Sequence, residues 1–225
     1  LQLTVDVATS DLKYVALFGH TTGATIKNVK ITNLKVNVTA TDQPYTGGIA
    51  GYANNSTIEN CSVAGEISSA SEYVGGIVAV AEGGKISKCK IVKDSYIYCA
   101  DNHCGGITAI AELDANISEC TVEGQVICKR FYVGGIAGRV NSAVIDKCLV
   151  SSDAYVQGGH NNETEKNGNT LVGIGGIIGI IKAKRMIKLR KTTFVLSIIN
   201  LAAGSIEILM LFVLFCAVVF GGVSV

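Results

Sequence analysis

Proline is nearly missing from this chain, with one in 225 residues, and tryptophan is missing altogether. The 26 glycines therefore come without the proline content or the three-residue period of a collagen-like chain. An apolar fraction of 48% excludes general disorder. A basic face is lacking as well: residues 1–181 hold 13 Lys and Arg against 17 Asp and Glu. Phosphate binding needs such a face, so nucleic acid is excluded as a partner. Catalytic motifs are absent too. There is no H-E-x-x-H, no Ser-His-Asp or Cys-His arrangement, and the three histidines His20, His103 and His160 are scattered. Gly173-Ile174-Gly175-Gly176 lacks the later Gly and Lys of a phosphate loop. No close cysteine pair of the C-x-x-C kind occurs, so no metal and no cofactor are expected.

What the chain does have is a repeat. Gly-Gly-Ile recurs at Gly47, Gly75, Gly105, Gly134 and Gly175, at intervals of 28, 30, 29 and 41 residues. Each of the first four is followed by Ile-x-x-Cys: Ile58 to Cys61, Ile86 to Cys89, Ile117 to Cys120 and Ile145 to Cys148. Two residues after each Cys comes Val63, Ile91, Val122 or Val150. Phe18-Gly19-His20 with Ile26 and Val29 reads as a worn earlier copy. The local period is two, β-branched residues are frequent, and Gly, Asn and Ser mark the turns. The sequence therefore predicts an all-β fold, a parallel β-helix or β-solenoid of about five coils of ~29 residues over residues 1–181, followed by a hydrophobic, helical tail.

Stacking turns repeat positions into ladders. Ile49, Ile77, Ile107, Ile136 and Ile177 are expected to form an inner ladder, and Gly51, Ala79, Ala109, Gly138 and Gly179 to leave room for a tight corner. Tyr45, Tyr73, His103 and Tyr132 should stack as an aromatic rail. Asn60, Lys88, Glu119 and Lys147 should lie on an outer face.

Gly47–Tyr52 followed by Ser56–Val63 resembles the GLUG repeat, whose usual form is Gly-Gly-Leu-Val-Gly with a following Ile-x-Asn-Cys stretch. The resemblance covers roughly residues 15–181. It implies a β-solenoid and a cell-surface or secreted setting, since members include adhesin-like chains and non-catalytic parts of immunoglobulin-A-cleaving metallopeptidases. This chain departs from the pattern in carrying Ile where Leu is usual, and Ala79 and Ala109 in place of the third Gly.

Cys61, Cys89, Cys120 and Cys148 share one repeat position and read as a ladder of small buried hydrophobes. Cys99 and Cys128 share another, within bridging range on neighbouring rungs, while Cys104 takes a slot filled elsewhere by Val74 and Val133. Glu82 and Glu112 also share a position, flanked by Asn54 and Asn141, and are the candidate carboxylate pair for a carbohydrate- or cation-binding edge; the alternative is a solvated turn. The 41-residue interval carries a polar insertion over 157–170, and its His160, Asn162 and Glu163 are further binding candidates. Sequons at Asn54, Asn55 and Asn162 fall in expected turns and are glycosylation candidates; those at Asn37, Asn60 and Asn116 carry less weight.

Composition changes after residue 181. Residues 182–191 hold six basic side chains and no acid, and read either as a juxtamembrane stretch or as a decayed sixth coil with Met186 and Leu189 in the places of Ile58 and Cys61. Residues 192–225 are expected to hold a transmembrane helix, over 206–225 or 194–214, with Glu207 near an interface. The positive-inside rule places the basic stretch in the cytoplasm, whereas the sequons and the resemblance place the solenoid outside. Residue 1 is Leu rather than Met, so a fragment or processed chain is expected. The preferred expectation is a non-enzymatic, membrane-anchored cell-surface solenoid, extracellular, meeting cell-surface proteins or glycans as a stalk, adhesion or binding module. The rival is a carbohydrate-active β-helix enzyme or its non-catalytic fragment, and a plain spacer is a third reading.

Overall fold

A computed structural model describes residues 1–8, 11–159, 174–181, 188–190 and 193–194. All of its regular structure is β, and every strand pairing is parallel. The chain winds as a β-solenoid of about five coils, and three sheets form its walls. In the second coil the short wall takes Tyr45–Gly47 and the front wall takes Ala50–Asn54 and Thr57–Glu59. The back wall takes Ser62–Ser69. Later coils repeat the circuit, one rung further along.

The Gly-Gly pair has two separate steric causes. At the first glycine a Cβ would collide with a carbonyl three residues on: Ala50 O at Gly47, Val78 O at Gly75, Thr108 O at Gly105. This is the corner between the short and front walls. At the second glycine the obstacle belongs to the next coil: Gly76 O faces Gly48, Gly106 O faces Gly76, and Gly135 O faces Gly106. One glycine lets the chain turn and the other lets the coils approach. A second corner needs left-handed backbone just before each Cys or its Val29 equivalent. Asn28, Asn60, Lys88, Glu119 and Lys147 hold φ of 59°, 53°, 53°, 55° and 52° there. Asn suits this conformation, and the others are held in it by the coils on either side. Their side chains are exposed, and Lys88 lies 4.0 Å from Glu59.

Ile49, Ile77, Ile107 and Ile136 are fully buried, and Ile177 packs half-buried against the same core. Backbone bonds run between them along the stack, from Ile77 N–H to Ile107 O and from Ile107 N–H to Ile136 O, both 3.0 Å. Cys61, Cys89, Cys120 and Cys148 are buried beside Ile58, Ile86, Ile117 and Ile145. Each thiol donates to a carbonyl two residues earlier, at 3.3–3.5 Å.

The small residues at Gly51 and Gly138 sit where backbone carbonyls crowd in: a Cβ at Gly51 would lie 2.7 Å from Gly19 O and 2.8 Å from Tyr45 O, and one at Gly138 would lie 2.6 Å from Tyr132 O. The register of the basic stretch differs from the sequence expectation. Leu189 pairs with Ile145 and so falls in the row of Ile58, not of Cys61. Thr193–Phe194 then pairs with Leu149–Val150 in the back wall. Residues 195–225, which include most of the expected membrane span, lie outside the described residues, as do 160–170 of the insertion. Among the described residues no helix is long and apolar enough to cross a membrane.

Candidate functional site

Candidate side chains collect on the front wall. Its strands include Phe18–Thr22, Ala50–Asn54, Val78–Glu82, Thr108–Ser118 and Ala137–Asp146. Parallel register turns alternate outward positions into rows. One row reads His20, Tyr52, Val80, Ile110, Arg139, and the next reads Thr22, Asn54, Glu82, Glu112, Asn141. Glu82 and Glu112 therefore stand directly opposite one another on neighbouring rungs, flanked by two amides.

The carboxylates are held from their sides. Tyr52 Oη and Asn54 Nδ2 both donate to Glu82 Oε2, the amide at 2.7 Å. Asn141 Nδ2 donates to Glu112 Oε2 at 3.4 Å, and Arg139 Nη2 lies 4.0 Å from the same oxygen. Burial and the Glu82 carboxylate together push the Tyr52 phenol up, so it stays protonated and keeps donating. Immediately after Glu112 the strand bulges, with the register shifting between Glu112 and Ala115. Leu113 is left 62% exposed at φ 51°, an unusual combination for a bulky apolar residue. Ser142 Oγ donates to Asp114 at 2.8 Å and ties the bulge to the next coil.

Beside these rows runs the aromatic rail, longer than the four rings expected. Tyr14 joins Tyr45 at 5.7 Å between centroids, and Tyr45, Tyr73, His103 and Tyr132 follow at 5.1, 5.0 and 4.8 Å. Tyr52 and His20 attach to its first rungs. Tyr73, His103 and Tyr132 all hold φ near 61–62°. His103 is buried and stacked on Tyr73 with an 18° interplanar angle. Tyr45 meets Tyr73 edge-on at 80°, so the rail mixes stacked and edge-to-face contacts, both favourable for aromatic pairs.

At the inner margin of the rail sits a carboxylate that sequence reasoning missed. Glu72 Oε2 lies 3.7 Å from His103 Nδ1, and Asn102 Nδ2 donates to Glu72 Oε1 at 3.0 Å. His103 and then Asn102 hold the Glu72 carboxyl at about 2, against the opposing effect of burial. Burial and Glu72 push the Tyr73 phenol up to about 12. Arg139 was missed as well. It stands two residues before Asn141, the same offset that Tyr52 has to Asn54, so extending that row would have found it.

The other candidates separate from this site. All seven described cysteines are free thiols. Cys99 and Cys128 do stand opposite each other, but Cys99 donates to Ser71 O at 3.1 Å and Cys128 to Asp101 O at 2.9 Å. Cys104 pairs in register with Val74 and Val133 and is fully buried. Burial pushes the Cys99 and Cys104 thiols well up, which suits packing and not nucleophilic work. Asn54 ends a strand with its amide engaged by Glu82, whereas Asn55 is exposed in the turn at φ 45°. His160, Asn162 and Glu163 lie outside the described residues. Among the described residues no group of three or more His, Cys, Asp or Glu is arranged to hold a metal.

The family described as the GLUG motif matches residues 42–68. This chain is a β-solenoid whose second coil carries the GLUG motif. The matched segment is one whole coil, from the residues before Tyr45–Gly47 to the back-wall strand Ser62–Ser69. A GLUG motif is thus one turn around all three walls, and its two glycines are the two close approaches described above. No curated protein and no solved structure matches the chain.

Proposed function

We propose that this GLUG solenoid is a non-catalytic binding module displayed at the cell surface, held at the membrane by its C-terminal segment, with the front wall as its contact face. The observation that carries the reading is the concentration of outward hydrogen-bonding groups on that one wall. Tyr52, Asn54, Glu82, Glu112, Arg139 and Asn141 lie there in two adjacent rows, on strands fixed from both sides. A rigid wall of this kind presents donors and acceptors without an ordering cost, the condition that favours recognition of hydroxyl-rich surfaces. The hydrophobic composition of 195–225 and the six basic residues of 182–191 support the anchor.

One observation favours the rival reading of a carbohydrate-active enzyme: two carboxylates one rung apart with Arg139 beside them. Hydrolysis needs one carboxyl to give a proton while the other accepts one or attacks. Here both Oε2 atoms accept amide N–H groups, an arrangement that orients acceptors. A glycan panel scored for both capture and product release separates the two. The binding module captures members of the panel and releases no fragments; product formation abolished by Glu82→Gln or Glu112→Gln would establish the enzyme instead.

A further inference from the structure

The buried thiols fall into two columns with different causes. Cys61, Cys89, Cys120 and Cys148 fill one corner in four successive coils, with Val29 before them in the stack. That corner asks for one kind of residue, small and apolar. The second column asks for none: along the back wall it reads Val38, Ser69, Cys99, Cys128, Gly158. Packing alone does not explain why two cysteines stand side by side in it.

Cys99 and Cys128 end the strands Tyr96–Cys99 and Gln125–Cys128 of the third and fourth coils, in register. Neighbouring strands lie about 4.8 Å apart, inside the Cα range of a disulfide. A bridge then asks for rotation about the two Cα–Cβ bonds and leaves the path of the backbone in place. The thiols give up little, since S–H is a weak donor. Two of their carbonyl partners, Asn102 O and Phe131 O, keep backbone donors in Tyr73 N–H and His103 N–H, both at 3.1 Å. The pair also has an attacking member. Contact with Cys99 lowers the Cys128 thiol, while burial first and Cys128 second push Cys99 up.

We propose that Cys99 and Cys128 form a redox-controlled disulfide that ties the third coil to the fourth. The co-reactant is another disulfide, that of a small thiol such as glutathione or of an exchange enzyme. The Cys128 thiolate, its proton released to solvent, attacks one sulfur of the co-reactant and expels the first thiolate. Cys99 passes its proton to that thiolate, attacks Sγ of Cys128 and expels the second, which takes up a proton from solvent. Two cysteine thiols are oxidised, and one disulfide is reduced to two thiols. Both cysteines are buried once the coils close, so exchange runs through local opening of the stack. The bond closes the 29-residue circuit from Cys99 to Cys128 into a covalent ring that carries His103, Glu112 and Leu113. This goes beyond the contact face and does not depend on it: the ring is closed in oxidising surroundings and open in reducing ones.

Alkylation in denaturant, read by intact mass, tests this on the full chain after equilibration with oxidised glutathione. The chain has eight cysteines, so closure should leave all but two open to alkylation, and dithiothreitol should restore all eight. Cys99→Ser and Cys128→Ser should each leave every remaining thiol reactive, and Ser69 shows that the slot accepts Ser. Cys104→Val, which matches Val74 and Val133 in its own row, should keep the bridge. The urea midpoint of the unaltered chain should fall on reduction, and that of Cys99→Ser should not move. Eight reactive thiols after oxidation, or a lasting glutathione adduct in place of a bridge, would overturn the proposal. A bridge that survives in Cys99→Ser would overturn it too, by placing the bond elsewhere. If a serine variant fails to fold, the cross-linked peptides of the oxidised, unaltered chain decide. Cys99 joined to Cys128 supports the proposal, and any other pair overturns it.

Discussion

At the scale of single residues, side chains are held by what lies one coil away. Ile107 contacts no solvent, and both its neighbours in the ladder are Ile. Replacing it with Asp puts an unpaired charge into the centre of the stack, which should cost more than about 4 kcal/mol. Ile107→Val, which removes one methylene, should cost about 1 kcal/mol. Thermal unfolding of the two variants checks the pair of values, and similar melting for both would remove Ile107 from the core. Glu72 gives a pH signature. Its folded carboxyl titrates near 2, below the ordinary value of 4.5, so the stability it contributes is present above about pH 4.5 and drains away as pH falls towards 2. The melting temperatures of the natural chain and Glu72→Gln should therefore differ at pH 6 and converge near pH 2. A constant gap would mean that Glu72 is not held by His103.

At the scale of the element, the matched GLUG motif spans one coil, and the corners of the coil explain which parts of the fold were legible in the sequence. Gly-Gly-Ile and Ile-x-x-Cys could be read because each corner imposes a residue type: glycine where a carbonyl comes too close, and a small apolar residue where a side chain enters the core. The rail could be read because its rings recur at one position. Glu72 with His103 could not, because the two residues lie at different repeat positions and meet only across a rung. The obstacles at Gly51 are Gly19 O and Tyr45 O, backbone atoms that leave no mark in the sequence. Leu189 was misplaced because its alignment assumed a turn of fixed length. The bulge at Leu113 is a departure from the repeat that local stability does not favour. Leu113→Gly should release the left-handed strain and stabilise the chain by about 1 kcal/mol in a urea titration. It should also weaken capture on the front wall. A destabilised variant would show that the Leu113 side chain supports the coil and is not kept for contact.

At the scale of the whole molecule, each coil buries its inner face only against its neighbours, so stability accumulates along one axis. Disruption in a central coil should spread both ways. Gly106→Ala drives a Cβ against Gly135 O of the next coil and should cost more than about 2 kcal/mol, seen as a lower urea midpoint. The same stacking sets out the front-wall rows, and the proposed contact face is built from the outward residues that differ from coil to coil. The central functional claim is that this face is displayed outside the cell. Protease added to intact, sealed membranes bearing the full chain tests it most directly, with detection of a fragment from the solenoid. External protease should degrade the solenoid without detergent; full protection until the membrane is opened would contradict the claim and place the front wall on the cytoplasmic side.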